Sequence, residues 1–175
     1  MSNIWLWCNR SRAIAWIFIL FIPPTQAAEL NHVAMNVAIE MTPFFIFDNA
    51  NNSGNFCVFS QNGMSKTDID AYSIKAEKMS PPLHLELIPS FKESDRCQFI
   101  FIDSQDAVLI QKSLPLINKQ SLVIGSSEEI IFSSGHIALL KVGNRVTINI
   151  NKKNMVSSGI RPSSQILNLA KTLIE

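Results

Sequence analysis

Residues 137–150, IALLKVGNRVTINI, read as two strands, Ile137 to Val142 and Arg145 to Ile150, separated only by Gly143-Asn144. A two-residue loop of this kind is a hairpin turn, because glycine and asparagine accept the positive φ that a tight antiparallel connection requires. The sequence upstream of the hairpin has a different rhythm. FCVF (56–59), CQFIFI (97–102) and SLVIG (121–125) are short apolar runs, rich in aromatic and β-branched residues, that read as buried strands. LHLELI (83–88) alternates, with Leu83, Leu85 and Leu87 on one face and His84 and Glu86 on the other, as a half-exposed strand does.

Helical stretches separate these runs. Lys66 to Met79 follows the candidate caps Ser65 and Thr67 and ends at Ser80-Pro81-Pro82, while Asp103-Ser104 is expected to cap a helix that runs to about Ile117 and puts Ala107, Ile110 and Leu114 on one side. Alternation of strand and helix is the pattern of an α/β layer. The expected fold is therefore α/β: a mixed sheet with a βαβ-type portion, extended by the C-terminal hairpin and flanked by helices. Beyond the hairpin, Lys152 to Ser158 reads as a short helix closed by Gly159. Ser163-Ser164 then opens a final helix expected to bury Ile166, Leu167, Leu169, Ala170 and Leu173. At the other end, Leu30 to Met41 has helical spacing and Pro43 stops it.

The first 27 residues have another character. Arg10 and Arg12 precede the apolar run AIAWIFILFI (13–22), Pro23-Pro24 break it, and Thr25-Gln26-Ala27 offers small residues at a cleavage site before Ala28. That is the order of a secretory signal peptide. Ten apolar residues rise only about 15 Å as a helix, half of the roughly 30 Å of hydrocarbon in a bilayer, so stable membrane insertion is not expected. The reading is a signal peptide over residues 1–27 and a single exported domain over 28–175. All three tryptophans, Trp5, Trp7 and Trp16, would leave with the leader.

Cys57 and Cys97 remain in the exported part. In an oxidising compartment an even pair is most simply a disulfide, with two buried thiols as the alternative. Two sulfur ligands with no histidine nearby make a poor zinc site. His32, His84 and His136 fall on different elements without metal-ligand spacing, and no Gly-x-Ser-x-Gly elbow occurs. Gly125-Ser126-Ser127-Glu128-Glu129 lacks the lysine and glycine spacing of a phosphate loop. No catalytic residue, metal or cofactor is expected, and the chain reads as a non-enzyme. With 15 basic and 14 acidic residues it offers no electrostatic case for nucleic acid.

Two features suit a protein partner. Lys141 to Ile174 carries six basic residues and no acid, among them Arg145, Lys152, Lys153 and Arg161. A solvated face is the plain reading, and a positive patch facing an acidic domain or membrane surface is the sharper one. Phe44-Phe45-Ile46-Phe47 reads as core, or else as a partner-binding patch built on Phe44, Phe45 and Phe47.

The C-terminal block resembles the YfiR-like family of exported bacterial proteins. Gly135, Ile137, Arg145, Val146, Ile148, Ile150, Asn151, Gly159, Ile160, Ser163, Ser164, Ile166, Leu167, Leu169 and Ala170 match its pattern in order. The cysteines agree too, in Phe56-Cys57-Val58 and in Cys97-Gln98-Phe99-Ile100-Phe101-Ile102. One departure is that Met41-Thr42 precede Pro43 where the family has an aromatic-rich stretch ending in Trp-Pro. The resemblance implies a periplasmic regulator that binds and represses an inner-membrane signalling protein through its periplasmic sensor domain. The target it implies is a diguanylate cyclase, so that cyclic di-GMP falls and biofilm formation with it, with a kinase as the other class of target. It also implies a disulfide that keeps the repressor folded, and a possible homodimer. A small-molecule-binding module serving a histidine kinase or transporter is the alternative.

Overall fold

The computed structural model describes residues 25–48, 54–61, 63–143 and 145–175. The expected leader lies outside the described residues except for Thr25 to Ala27, which open helix α1 (Thr25–Met41). Pro43 ends that helix in a 3-10 turn over Thr42–Phe44. In chain order there follow β1 (Phe45–Phe47), β2 (Asn55–Ser60), α2 (Lys66–Ala76), β3 (His84–Leu87), β4 (Phe99–Asp103), α3 (Ala107–Ser113) and β5 (Leu122–Gly125). The rest is α4 (Glu129–Phe132), β6 (Ile137–Val142), β7 (Arg145–Asn151), α5 (Lys152–Ser157), β8 (Ile160–Pro162), α6 (Ser164–Leu169) and β9 (Ala170–Ile174).

Seven strands form one mixed sheet in the order β3-β2-β4-β5-β6-β7-β9, and β1 pairs with β8 in a separate antiparallel ribbon. Strands β3, β2, β4, β5 and β6 run parallel, and β7 turns back against β6 in the expected hairpin, with Val142 opposite Arg145. The sheet is thus parallel where helices connect its strands and antiparallel where Gly143 turns the chain.

Alternation along the strands makes two cores. Phe56, Val58, Phe99, Phe101, Leu122 and Ile124 point to one face, where they meet Met35, Ile39, Ile69, Met155 and Ile166 of α1, α2, α5 and α6. Cys57, Ile100, Ile102 and Val123 point to the other and pack under Phe91, Ile110 and Ile130. The division follows from topology: the chain steps from β2 to β3 in one direction and from β3 through β4 to β6 in the other. Right-handed crossovers then place their connections on opposite faces.

Local chemistry explains the boundaries. Ser65 and Asp68 form a reciprocal capping box at the start of α2, as expected for Ser65. Gly159 closes α5 at φ +70°, a conformation that favours glycine. Gly125 has a packing reason, since a Cβ there would lie 2.5 Å from the Ile130 side chain.

Three expectations need correction. The cap of α3 is Asp106, whose carboxylate accepts from the backbone N–H groups of Val108 and Leu109. Asp103 is the last residue of β4 instead, and accepts the Ser60 hydroxyl at 2.6 Å. Leu87 is 39% exposed, because β3 is an edge strand whose apolar side ends at Leu85 before Ile88 turns inward. The final helix stops at Leu169, and residues 170–174 form β9, which pairs parallel with β7. Only Ile166 of the predicted buried set is fully enclosed, and Leu169 is 65% exposed. The open edge of β7 offers hydrogen-bond partners to every backbone group that joins it, and this outweighs the weak helical preference of Lys-Thr-Leu-Ile.

Candidate functional site

Cys57, in the middle of β2, and Cys97, two residues before β4, form a disulfide with their Cα atoms 5.7 Å apart. Strand register alone would leave Cys97 three residues short of Ile100, the partner of Cys57; the 3-10 turn over Phe91–Arg96, which ends at Cys97, breaks the strand geometry there and turns its side chain toward Cys57. Both residues are buried under Phe91 and Ile88. On the other side of β2, Glu86 of β3 is the register partner of Cys57, and its Oε1 lies 3.3 Å from the Cys57 sulfur. Arg96 donates from Nε to that same oxygen at 2.9 Å and from a terminal nitrogen to Glu93 at 3.0 Å. Glu86 escaped the sequence reading because nothing in LHLELI distinguishes a solvent-facing carboxylate from one aimed at a cysteine in the next strand. Only the register does.

The aromatic stretch is mostly core. Phe45 is buried, Phe44 and Phe47 pack half-buried against the α1 face, and Phe47 meets the Phe99 ring edge-on at a centroid distance of 5.4 Å. Ile46 is the residue that faces out, 59% exposed, and it stands opposite Arg161 in the β1–β8 ribbon. Beside this ribbon a groove of about 600 Å³ is lined by Pro43, Phe45, Phe47, Pro82 and Phe99 among others.

The basic residues do not converge on one spot. Arg161 is held by Asp48 at 2.7 Å, and Lys152 pairs with Glu175 at 3.3 Å. Lys152 and the exposed Lys153 open α5, whereas Arg145 begins β7 at the hairpin end. The length of β7, roughly 20 Å, separates them.

The histidines lie on three elements. His32 of α1 hydrogen-bonds Tyr72 of α2 at 2.6 Å, His84 is exposed on β3, and His136 precedes β6 in the interior. His136 Nδ1 accepts the Val123 backbone N–H at 2.9 Å, which leaves Nε2 to donate to the Ser158 hydroxyl at 3.1 Å. Burial pushes the imidazole pKa down to about 4, so the ring is neutral at physiological pH.

A family model described as YfiR/HmsC-like matches residues 19–171. The chain belongs to this family. Members of the YfiR/HmsC-like family are periplasmic regulatory proteins. No described helix is long and apolar enough to cross a membrane. Comparison with curated proteins gave no match. Among solved structures, the chain is similar to a conserved domain protein from Vibrio cholerae O1 biovar El Tor, with 11% identity over 81% of this chain and 59% of that one and a TM-score of 0.55. It is also similar to an ABC domain in complex with L-Trp from Streptococcus pneumonia, with 14% identity over 82% and 60% and a TM-score of 0.53. The chain spans about three fifths of the length of both solved chains, and at these identities the likeness is one of fold.

Proposed function

We propose that this protein is an exported repressor: it binds the periplasmic sensor domain of an inner-membrane diguanylate cyclase and lowers cyclic di-GMP. The observation that carries this reading is the YfiR/HmsC-like match across residues 19–171, nearly the whole chain. The disulfide supports it, because such a bond suits a protein that works in an oxidising compartment. The contact surface we assign combines the β1–β8 ribbon, with exposed Ile46 beside Arg161, and the start of α5 at Lys152 and Lys153. Exposed Ile46 supplies an apolar anchor, and exposed Lys153 a cation that attracts an acidic partner. Phe44, Phe45 and Phe47 serve this surface from beneath, by holding the ribbon. Arg145 contributes at most long-range attraction.

Co-purification tests the reading. The exported chain, passed over the immobilised periplasmic domains of the membrane diguanylate cyclases of the same bacterium, is expected to be retained by one of them, and Ile46→Asp with Arg161→Glu is expected to release it. Absence of retention would contradict the proposal.

The groove beside Phe47 favours a second reading, a module that binds a small apolar or aromatic solute and passes its presence to a kinase or transporter. A thermal-shift screen that includes aromatic amino acids separates the two, since a ligand that binds only the folded chain raises its melting temperature.

A further inference from the structure

The sulfurs of Cys57 and Cys97 and a carboxylate oxygen of Glu86 lie within 4.8 Å of one another. In the disulfide the Cys57 sulfur carries no proton, so its 3.3 Å approach to Glu86 is that of an anion to a sulfur and not a hydrogen bond. In the dithiol state the same arrangement offers three donors on one face of the sheet. We propose that the reduced chain binds a zinc ion through Cys57, Cys97 and Glu86.

Three observations support this site. Zinc–sulfur bonds of about 2.3 Å in a tetrahedral site set the sulfurs roughly 3.8 Å apart. Cα atoms 5.7 Å apart keep both side chains within reach of one ion. Charge is largely offset as well: two thiolates and the Glu86 carboxylate face zinc and the Arg96 guanidinium, which already holds Glu86 at 2.9 Å, and the one carboxylate left over, Glu93, is solvent-exposed. Offsetting charges lower the cost of burying the thiolates. Finally, the Glu86 side chain is 23% exposed while both cysteines are buried, so the cluster lies at the edge of the core, where an ion can reach it from solvent. Arg96 would then act as the outer partner that orients a ligating carboxylate.

A newly exported chain is in the dithiol state before oxidation and needs no reductant. For the oxidised chain a phosphine supplies it: the S–S bond breaks, phosphorus takes the oxygen of a water molecule to become a phosphine oxide, and the protons of that water pass to the two sulfurs. Zinc then displaces both thiol protons to the buffer.

The exported chain, oxidised or phosphine-reduced and kept under nitrogen, is titrated with zinc against a chromogenic chelator while circular dichroism follows its fold. The site predicts one zinc per reduced chain, none per oxidised chain, and sulfur-to-metal charge-transfer absorption when cobalt replaces zinc. Glu86→Gln should bind at least tenfold more weakly, and Cys57→Ser should not bind. If reduction unfolds the chain, zinc is expected to restore the fold. Equal uptake by oxidised and reduced chains, no uptake by the reduced chain, unchanged binding by Glu86→Gln, or a reduced chain that zinc cannot refold would each overturn the site.

Discussion

His136 and Val123 are joined twice: the Val123 backbone N–H donates to His136 Nδ1 at 2.9 Å, and the His136 backbone N–H donates to the Val123 carbonyl at 3.1 Å. The pair ties the start of β6 to β5 where the parallel strands share only two register positions. The bond requires an unprotonated Nδ1. Between pH 6.5 and about 4 the unfolded chain binds a proton at this histidine that the folded chain refuses, so stability falls as pH drops. The loss begins near pH 6.5, is complete below about pH 4, and amounts to roughly 3 kcal/mol. His136→Gln removes the titrating group. Denaturant titrations should find the variant less stable at pH 7.5, with the gap to wild type narrowing as pH falls to 4. A gap independent of pH would rule out a buried neutral His136.

The disulfide closes a loop of 40 residues in sequence separation. In the chain-entropy model it contributes about 4 kcal/mol. Cys57→Ser with Cys97→Ser should lower the urea midpoint accordingly, and a thiol-reactive reagent should find no accessible thiol in the oxidised exported chain.

Ile166 and Leu169 separate the observed C-terminus from a continuous helix. Ile166→Ala should cost roughly 2–4 kcal/mol, because the residue is fully enclosed beneath the sheet. Leu169→Ala should change stability by no more than about 0.5 kcal/mol, as expected of an exposed side chain. A buried helical face at Leu169 would make the two costs alike.

The leader proposed for residues 1–27 has its own test. Mass spectrometry of the exported protein should find a chain that begins near Ala28, and its emission should show no tryptophan component, since Trp5, Trp7 and Trp16 precede that point. An exported chain that retains Trp16 would contradict cleavage there.

Much of the sheet was legible in the sequence because its strands are short, buried and bracketed. Phe99 to Ile102 could hardly be exposed on either face, and Gly143-Asn144 allowed one connection only. The elements that escaped depend on distant partners. Phe45 to Phe47 becomes a strand by pairing with residues 160–162, and Lys171 to Ile174 by joining the edge of β7. The single turn of α4 is too short to show a period. At the site the same division holds. The cysteines announced themselves by number, whereas Glu86 and Ile46 acquire their positions from register with Cys57 and Arg161.

The most direct test of the regulatory account is cyclic di-GMP itself, measured by mass spectrometry in the source bacterium with and without this protein. Repression predicts that deletion raises cyclic di-GMP severalfold and that wild-type protein restores it. Ile46→Asp with Arg161→Glu, folded and exported, should fail to restore it. An unchanged nucleotide level on deletion would contradict the account.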